Sequence, residues 1–162
     1  MRNLENKIIH RKDLSMVVHQ LRSANKTIVT TNGAFDMFHY GHLKTLVFAR
    51  EKGDALIVGI NSDASIKKYK SEKRPVISEF ERSSIVAAME CVDYVSIFNE
   101  ETPEEFLEII KPDFHVKGSE YKNNIIEKTV VEQNNGKIIF MDRDNEDVST
   151  SGIIQKLLSL YG

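Results

Sequence analysis

From Lys26 onward the chain alternates short, nearly unbroken apolar runs with longer stretches whose apolar residues recur every three or four positions. The short runs are rich in Val, Ile and Thr and predict strands at Thr27–Thr31, Ala55–Ile60, Tyr94–Phe98, Phe114–Val116 and Lys137–Phe140. Between them lie helix signals. Gly41 to Lys52 has helical composition with Gly53 as its stop, and Ser78 with Glu81 makes a capping box ahead of Ser83–Met89. Thr102, Pro103 and Glu105 predict a second box with proline at the first helical position, and a last helix should begin at Ser149 or Thr150 and run to about Leu160. Strand and helix in alternation give an α/β fold: a doubly wound sheet of about five parallel strands with helices on both faces. The first 25 residues carry Leu14, Val17, Val18 and Leu21 at helical spacing, an N-terminal helical extension against the outside of the sheet, to which no chemistry is assigned.

Length and charge narrow the partners. A chain of 162 residues holds one domain with a sizeable core, and 22 basic against 24 acidic side chains leave a formal charge of -2, which offers no general attraction for nucleic acid. No apolar run reaches bilayer length and the N-terminus lacks a hydrophobic signal core, so no membrane partner is expected and the expected location is cytoplasmic. The single cysteine, Cys91, lies among apolar residues with no local base and reads as a buried structural thiol.

The chemistry concentrates where the first strand hands over to a helix, in TNGAFDMFHYGH from Thr31 to His42. Backbone N–H groups at a helix start lack intrahelical partners and the helix dipole adds positive potential, so the position suits an anion such as a triphosphate. His39, just ahead of the helix, and His42, in its first turn, can both aim at one bound group and stabilise charge that grows in a transition state. Gly33 and Gly41 lack a Cβ where the backbone bends or a ligand approaches. Spacing alone also fits two satisfied histidines at an ordinary helix entry; the strand, helix and second serine/threonine motif around them favour chemistry.

The string GAFDMFHYGH resembles the G-x-F-D-x-x-H-x-G-H signature of the cytidylyltransferase-like nucleotidyltransferases, and VSTS from Val148 to Ser151 resembles their second signature, I-S-T-T. The segments LIVGINSDASIKKYKSEKRPV, ECVDYVSIFNEETPEE and KPDFHVKGSEY are similar to one branch, the heptose-1-phosphate adenylyltransferase domain, and the likeness covers almost the whole chain. The resemblance implies a Rossmann-like fold, one nucleotidyltransferase domain over residues 1–162, and transfer of a nucleoside monophosphate from ATP to a sugar phosphate, giving ADP-heptose and pyrophosphate for a surface-polysaccharide precursor.

On that resemblance His39, His42 and Arg82 are the expected catalytic residues. Gly33, Ala34, Phe35, Asp36, Gly41, Lys44, Lys117, Gly118, Ser149, Thr150 and Ser151 are the expected nucleotide-binding ones. Lys44 matches a basic position of the glycerol-phosphate branch and equally fits a solvated helix lysine. Arg82 offers a planar fork to phosphate oxygens, with a surface salt bridge to Glu79 or Glu81 as the plainer use. Ser149 and Thr150 can bind phosphate, cap the last helix, or both. Asp36 can orient a histidine or a turn, or help hold Mg²⁺ through water; no protein cage for a metal is expected, and Mg²⁺ should be bound mainly through the triphosphate. The basic run Lys67–Arg74 leaves the second strand on the ligand side of the sheet, and Lys68 and Lys73 are the expected acceptor-phosphate cations.

Ala34 stands where the branch commonly has cysteine, Ser119 replaces a glycine, and Glu120-Tyr121 replaces Asp-Tyr. A CTP-dependent cytidylyltransferase acting on glycerol 3-phosphate or another small phosphorylated alcohol shares both signatures and is the runner-up; Glu90 and Lys117 follow the heptose branch instead. A nucleotide-binding sensor without catalysis is the third reading. In the heptose branch a sugar-kinase domain often precedes this segment, so a separate kinase is the expected source of substrate, and a homodimer is the expected assembly by family analogy.

Overall fold

The computed structural model describes residues 3–142 and 148–162. Five strands, β1 (Ile28–Gly33), β2 (Ala55–Asn61), β3 (Tyr94–Phe98), β4 (Phe114–Gly118) and β5 (Lys137–Met141), pair in parallel in the order β3-β2-β1-β4-β5. The order reverses at β1, so a crevice opens beyond the C-terminal ends of β1 and β4, where open α/β sheets hold their ligands. Seven helices connect and flank them: α1 (Arg11–Ser23), α2 (Tyr40–Arg50), α3 (Asp63–Tyr69), α4 (Glu79–Ala88), α5 (Glu104–Ile110), α6 (Lys128–Gln133) and α7 (Thr150–Tyr161).

Alternation along each strand sorts the core into two halves. Val29, Val58, Ile60, Val95 and Val116 pack against Leu46 and Ala49 of α2 and Val86 and Ala87 of α4. Ile28 and Ile57 pack against Leu14 of α1, Phe106, Leu107 and Ile110 of α5, and Val130 and Val131 of α6. By the same alternation Thr30, Asn32, Asn61, His115 and Lys117 belong to the α5/α6 face. Gly59 of β2 lets α5 approach, since a Cβ there would stand 2.8 Å from the Phe106 ring. Gly53 ends the α2 connection because a Cβ would stand 2.6 Å from Val29 Cγ2 and 2.9 Å from the Thr27 carbonyl.

The expected N-terminal helix is α1, with Leu14 and Val17 buried. Ahead of it, Ile8 pairs in parallel with Val95, whose N–H donates to the Lys7 carbonyl at 2.8 Å and whose carbonyl accepts from Ile9 N–H at 2.8 Å. This pairing covers the β3 edge, an addition that apolar periodicity did not reveal because three residues are too few to show a period.

Two local expectations are corrected and one helix is added. The Ser78–Glu81 box forms, but α5 has Pro103 as N-cap with no side-chain cap bond, and the Thr102 hydroxyl donates to Glu104 at 2.9 Å instead. Part of the basic run belongs to helix α3, whose N-cap Ser62 accepts from Ser65 N–H at 3.1 Å. Cys91 is half-buried against the first core half, and burial pushes its thiol up.

Candidate active site

At the β1–α2 junction the backbone turns through Phe35 (φ 50°) and Met37 (φ 50°), so the left-handed conformations fall on these residues and no glycine has positive φ. Side chains disfavour that region, and three hydrogen-bonded clamps hold the loop in it. Arg82 donates from Nη1 to the Ala34 carbonyl, the Thr150 hydroxyl donates to the Asp36 carbonyl at 2.8 Å, and the Asp36 carboxylate accepts from Val76 N–H at 3.0 Å and Ile77 N–H at 3.1 Å. Gly33 is thus not needed for a special backbone, and a Cβ there would meet the Phe35 ring at an ordinary 3.5 Å. Gly41 does not line the crevice. It is buried, and a Cβ would stand 3.0 Å from the Val148 carbonyl and 3.2 Å from the His39 ring, so its smallness lets the C-terminal segment close on α2.

His39 is the N-cap of α2 and His42 lies in its first turn. Their rings stack with centroids 3.8 Å apart and planes 23° from parallel. The His39 backbone N–H donates to His42 Nδ1 at 3.4 Å, which assigns the ring hydrogen of His42 to Nε2 and makes that atom a donor. Phe35 and Phe38 flank the His42 ring at centroid distances of 5.1 and 5.6 Å and limit its motion.

The crevice encloses about 470 Å³. Gly33, Ala34, Phe35, Asp36, His39 and His42 form one part of its wall, Ser149, Thr150 and Ser151 at the start of α7 another, and Lys117 and Gly118 a third, so these expected site residues come together. The start of α7 is N-capped by Ser149, whose hydroxyl oxygen accepts from Gly152 N–H at 3.1 Å. Two helix N-termini therefore meet the same crevice, a strongly anion-attracting arrangement.

Other expected site residues stand elsewhere. Arg82 is 1% exposed beneath the loop, not on the wall. It donates to the Ile77 carbonyl at 2.9 Å, the Asn61 carbonyl at 2.8 Å and Asp63 Oδ1 at 2.8 Å besides Ala34, so neither a triphosphate contact nor a surface pair with Glu79 or Glu81 describes it. Lys44 borders a separate groove with Tyr40, Phe48 and Phe140, its ammonium 5.8 Å from the Tyr40 ring centroid. Lys68 and Lys73 are exposed and off the wall, which takes Tyr69 and Lys70 instead. The Asp36 carboxylate is fully engaged, with Arg74 Nε at 2.8 Å besides the two N–H groups, and so is not a metal ligand. Burial raises its pKa, but those hydrogen bonds and the Arg74 charge outweigh burial and hold it below the usual carboxylate range. Among the described residues no group of three His, Cys, Asp or Glu side chains could hold a metal ion.

Sequence reasoning also missed part of the wall. Asn32, Asn61, Thr102, Tyr121 and Glu127 line it. Lys117 Nζ lies 2.7 Å from Glu127 Oε1 and 3.3 Å from Asn32 Oδ1, a pairing across ten residues that no helical or strand spacing announces. Below it, Thr30 Oγ1 is 2.8 Å from Nδ1 of the fully buried His115. Burial, then the Lys117 charge, depresses the His115 pKa well below the ordinary histidine value, so the ring is neutral.

A family model described as cytidylyltransferase-like matches residues 30–156. The chain is 43% identical over 158 residues to the bifunctional protein HldE of Syntrophotalea carbinolica, covering 97% of this chain and 32% of that protein. It is 45% identical over 155 residues to the bifunctional protein HldE of Campylobacter jejuni subsp. doylei, covering 96% of this chain and again 32% of the relative. The chain thus spans about a third of the curated relatives it matches. A solved structure, the lipopolysaccharide core biosynthesis protein of Thermoplasma volcanium, superposes with a TM-score of 0.61 at 22% identity over 75% of this chain and 99% of that one, a likeness of fold. No helix of the described residues is long and apolar enough to cross a membrane.

Proposed function

Because the chain belongs to the cytidylyltransferase-like family, we propose that it transfers AMP from ATP to D-glycero-D-manno-heptose 1-phosphate, giving ADP-heptose and pyrophosphate. The observation that carries this reading is the stacked His39–His42 pair at the start of α2, which shares one crevice with the start of α7. The similarity to the HldE proteins, together with the segment resemblance to the heptose branch, favours the heptose acceptor.

In the reaction a phosphate oxygen of the acceptor attacks the α-phosphorus, the bond from that phosphorus to the bridging oxygen of the β-phosphate breaks, and pyrophosphate leaves with the electron pair. Proteins accelerate such displacements chiefly by positioning and by stabilising charge. Nε2–H of His42, His39 beside it and the positive ends of two helices suit the oxygens that gain charge. Arg82 and Asp36 act on this through the loop that they hold. Mg²⁺, bound by the triphosphate as part of the substrate, neutralises phosphate charge without a protein cage.

Pyrophosphate release with ATP or CTP across a panel of sugar and polyol phosphates tests the reading. ATP with heptose 1-phosphate should give the highest kcat/KM, and turnover confined to CTP with glycerol 3-phosphate would replace it. The acceptor implies an upstream kinase. A homodimer belongs to the same proposal, supported by Leu158 at 65% and Tyr161 at 85% exposure on α7, and light scattering checks it.

A further inference from the structure

The sheet itself divides the crevice into two walls. Gly33 ends β1 on the α2/α4 face and leads into the loop and histidines of α2, whereas Asn32, Asn61 and Lys117, each last or next to last in its strand, belong to the α5/α6 face. On that second wall the Lys117–Glu127 pair is built rather than casual. The lysine side chain is 11% exposed and the carboxylate side chain 3%, with Nζ 4.8 Å above the Tyr121 ring. Both members line the crevice. Glu127 and Asn32 take two of the three ammonium hydrogens, which leaves one donor for a ligand.

A buried ion pair is a weak source of stability, because apolar residues of similar volume usually serve as well. Its place on a ligand wall therefore points to binding. A phosphoryl displacement runs roughly in line, with the attacking and leaving oxygens on opposite sides of the phosphorus. If the histidine wall receives the leaving pyrophosphate, the attacking phosphate arrives from the wall opposite. We propose that Lys117, held by Glu127 as a positioning residue, binds the phosphate of the acceptor, a role the sequence had offered to Lys68 and Lys73, in place of the nucleotide contact that the resemblance implied for Lys117. This inference rests on the nucleotidyl-transfer reading above.

The test compares wild type with Glu127→Gln, Lys117→Arg and the double variant Lys117→Met/Glu127→Leu, which removes both charges and strands neither. Calorimetric titration with ATP and separately with heptose 1-phosphate is paired with steady-state pyrophosphate release. The double variant should melt like wild type and bind ATP within about threefold, yet bind the sugar phosphate at least about tenfold more weakly. Glu127→Gln should raise the acceptor KM about tenfold with a smaller change in kcat, and Lys117→Arg should keep part of the affinity. Equal losses for both ligands would make Lys117 a general phosphate contact and overturn the assignment, as would no loss for either. Wild type that binds both ligands but releases no pyrophosphate overturns the transfer reading and leaves the binding comparison to decide Lys117. Wild type that binds no sugar phosphate overturns both.

Discussion

Asp36 and Arg74 form an ion pair across 38 residues, with carboxylate Oδ2 accepting from Nε at 2.8 Å and lying 2.7 Å from a terminal guanidinium nitrogen. The carboxylate is 1% exposed and also accepts two backbone N–H groups, so it fixes the segment that precedes α4. Asp36→Ala should cost about 3–5 kcal/mol in urea unfolding, since it strands buried donors; a loss under about 1 kcal/mol would show the pair to be incidental. The depressed pKa adds a sign: this stability is present above the unfolded carboxylate value of about 3.9 and is lost as pH falls through the lower folded value.

Replacing His39 or His42 by alanine should lower turnover roughly a hundredfold or more while the unfolding midpoint moves little, because neither ring is fully buried. Near-normal kcat in both purified variants would remove the pair from the chemistry.

Arg82 should behave in the opposite way. Its guanidinium joins four acceptors on three segments, so Arg82→Ala should cost about 3 kcal/mol or more, and Arg82→Lys should recover only part of that because an ammonium cannot span the same fork. A variant with normal stability and a large loss in kcat would return Arg82 to the triphosphate.

His115 gives a pH dependence. Its folded pKa lies well below the unfolded value of about 6.5, so between those two values the unfolded chain binds the extra proton and stability falls with falling pH. The slope from one such group is about 1.4 kcal/mol per pH unit. Wild type should lose stability below about pH 6.5 more steeply than His115→Gln, and parallel curves would contradict the neutral buried ring.

The parallel sheet and the histidine pair were legible because both are written in contiguous residues: β-branched runs for the strands, a short signature for the junction. What the sequence hid are partners set by the fold. Arg82 and Asp36 look like phosphate and metal groups in a motif, yet burial decided that they hold backbone. Lys44 carries the right charge two residues beyond His42, but on a helix that separation turns it away from the face of the histidines. Glu127 showed no signal, since its meeting with Lys117 depends on how α6 returns to the sheet.

The clamp from Thr150 to the Asp36 carbonyl joins residues 114 positions apart. A ribosome extends the chain from the N-terminus, so the histidines are made long before the helix that completes their crevice. During synthesis the crevice stays half built until α7 has emerged and docked, and a chain interrupted before α7 carries the signature residues with one part of the wall missing.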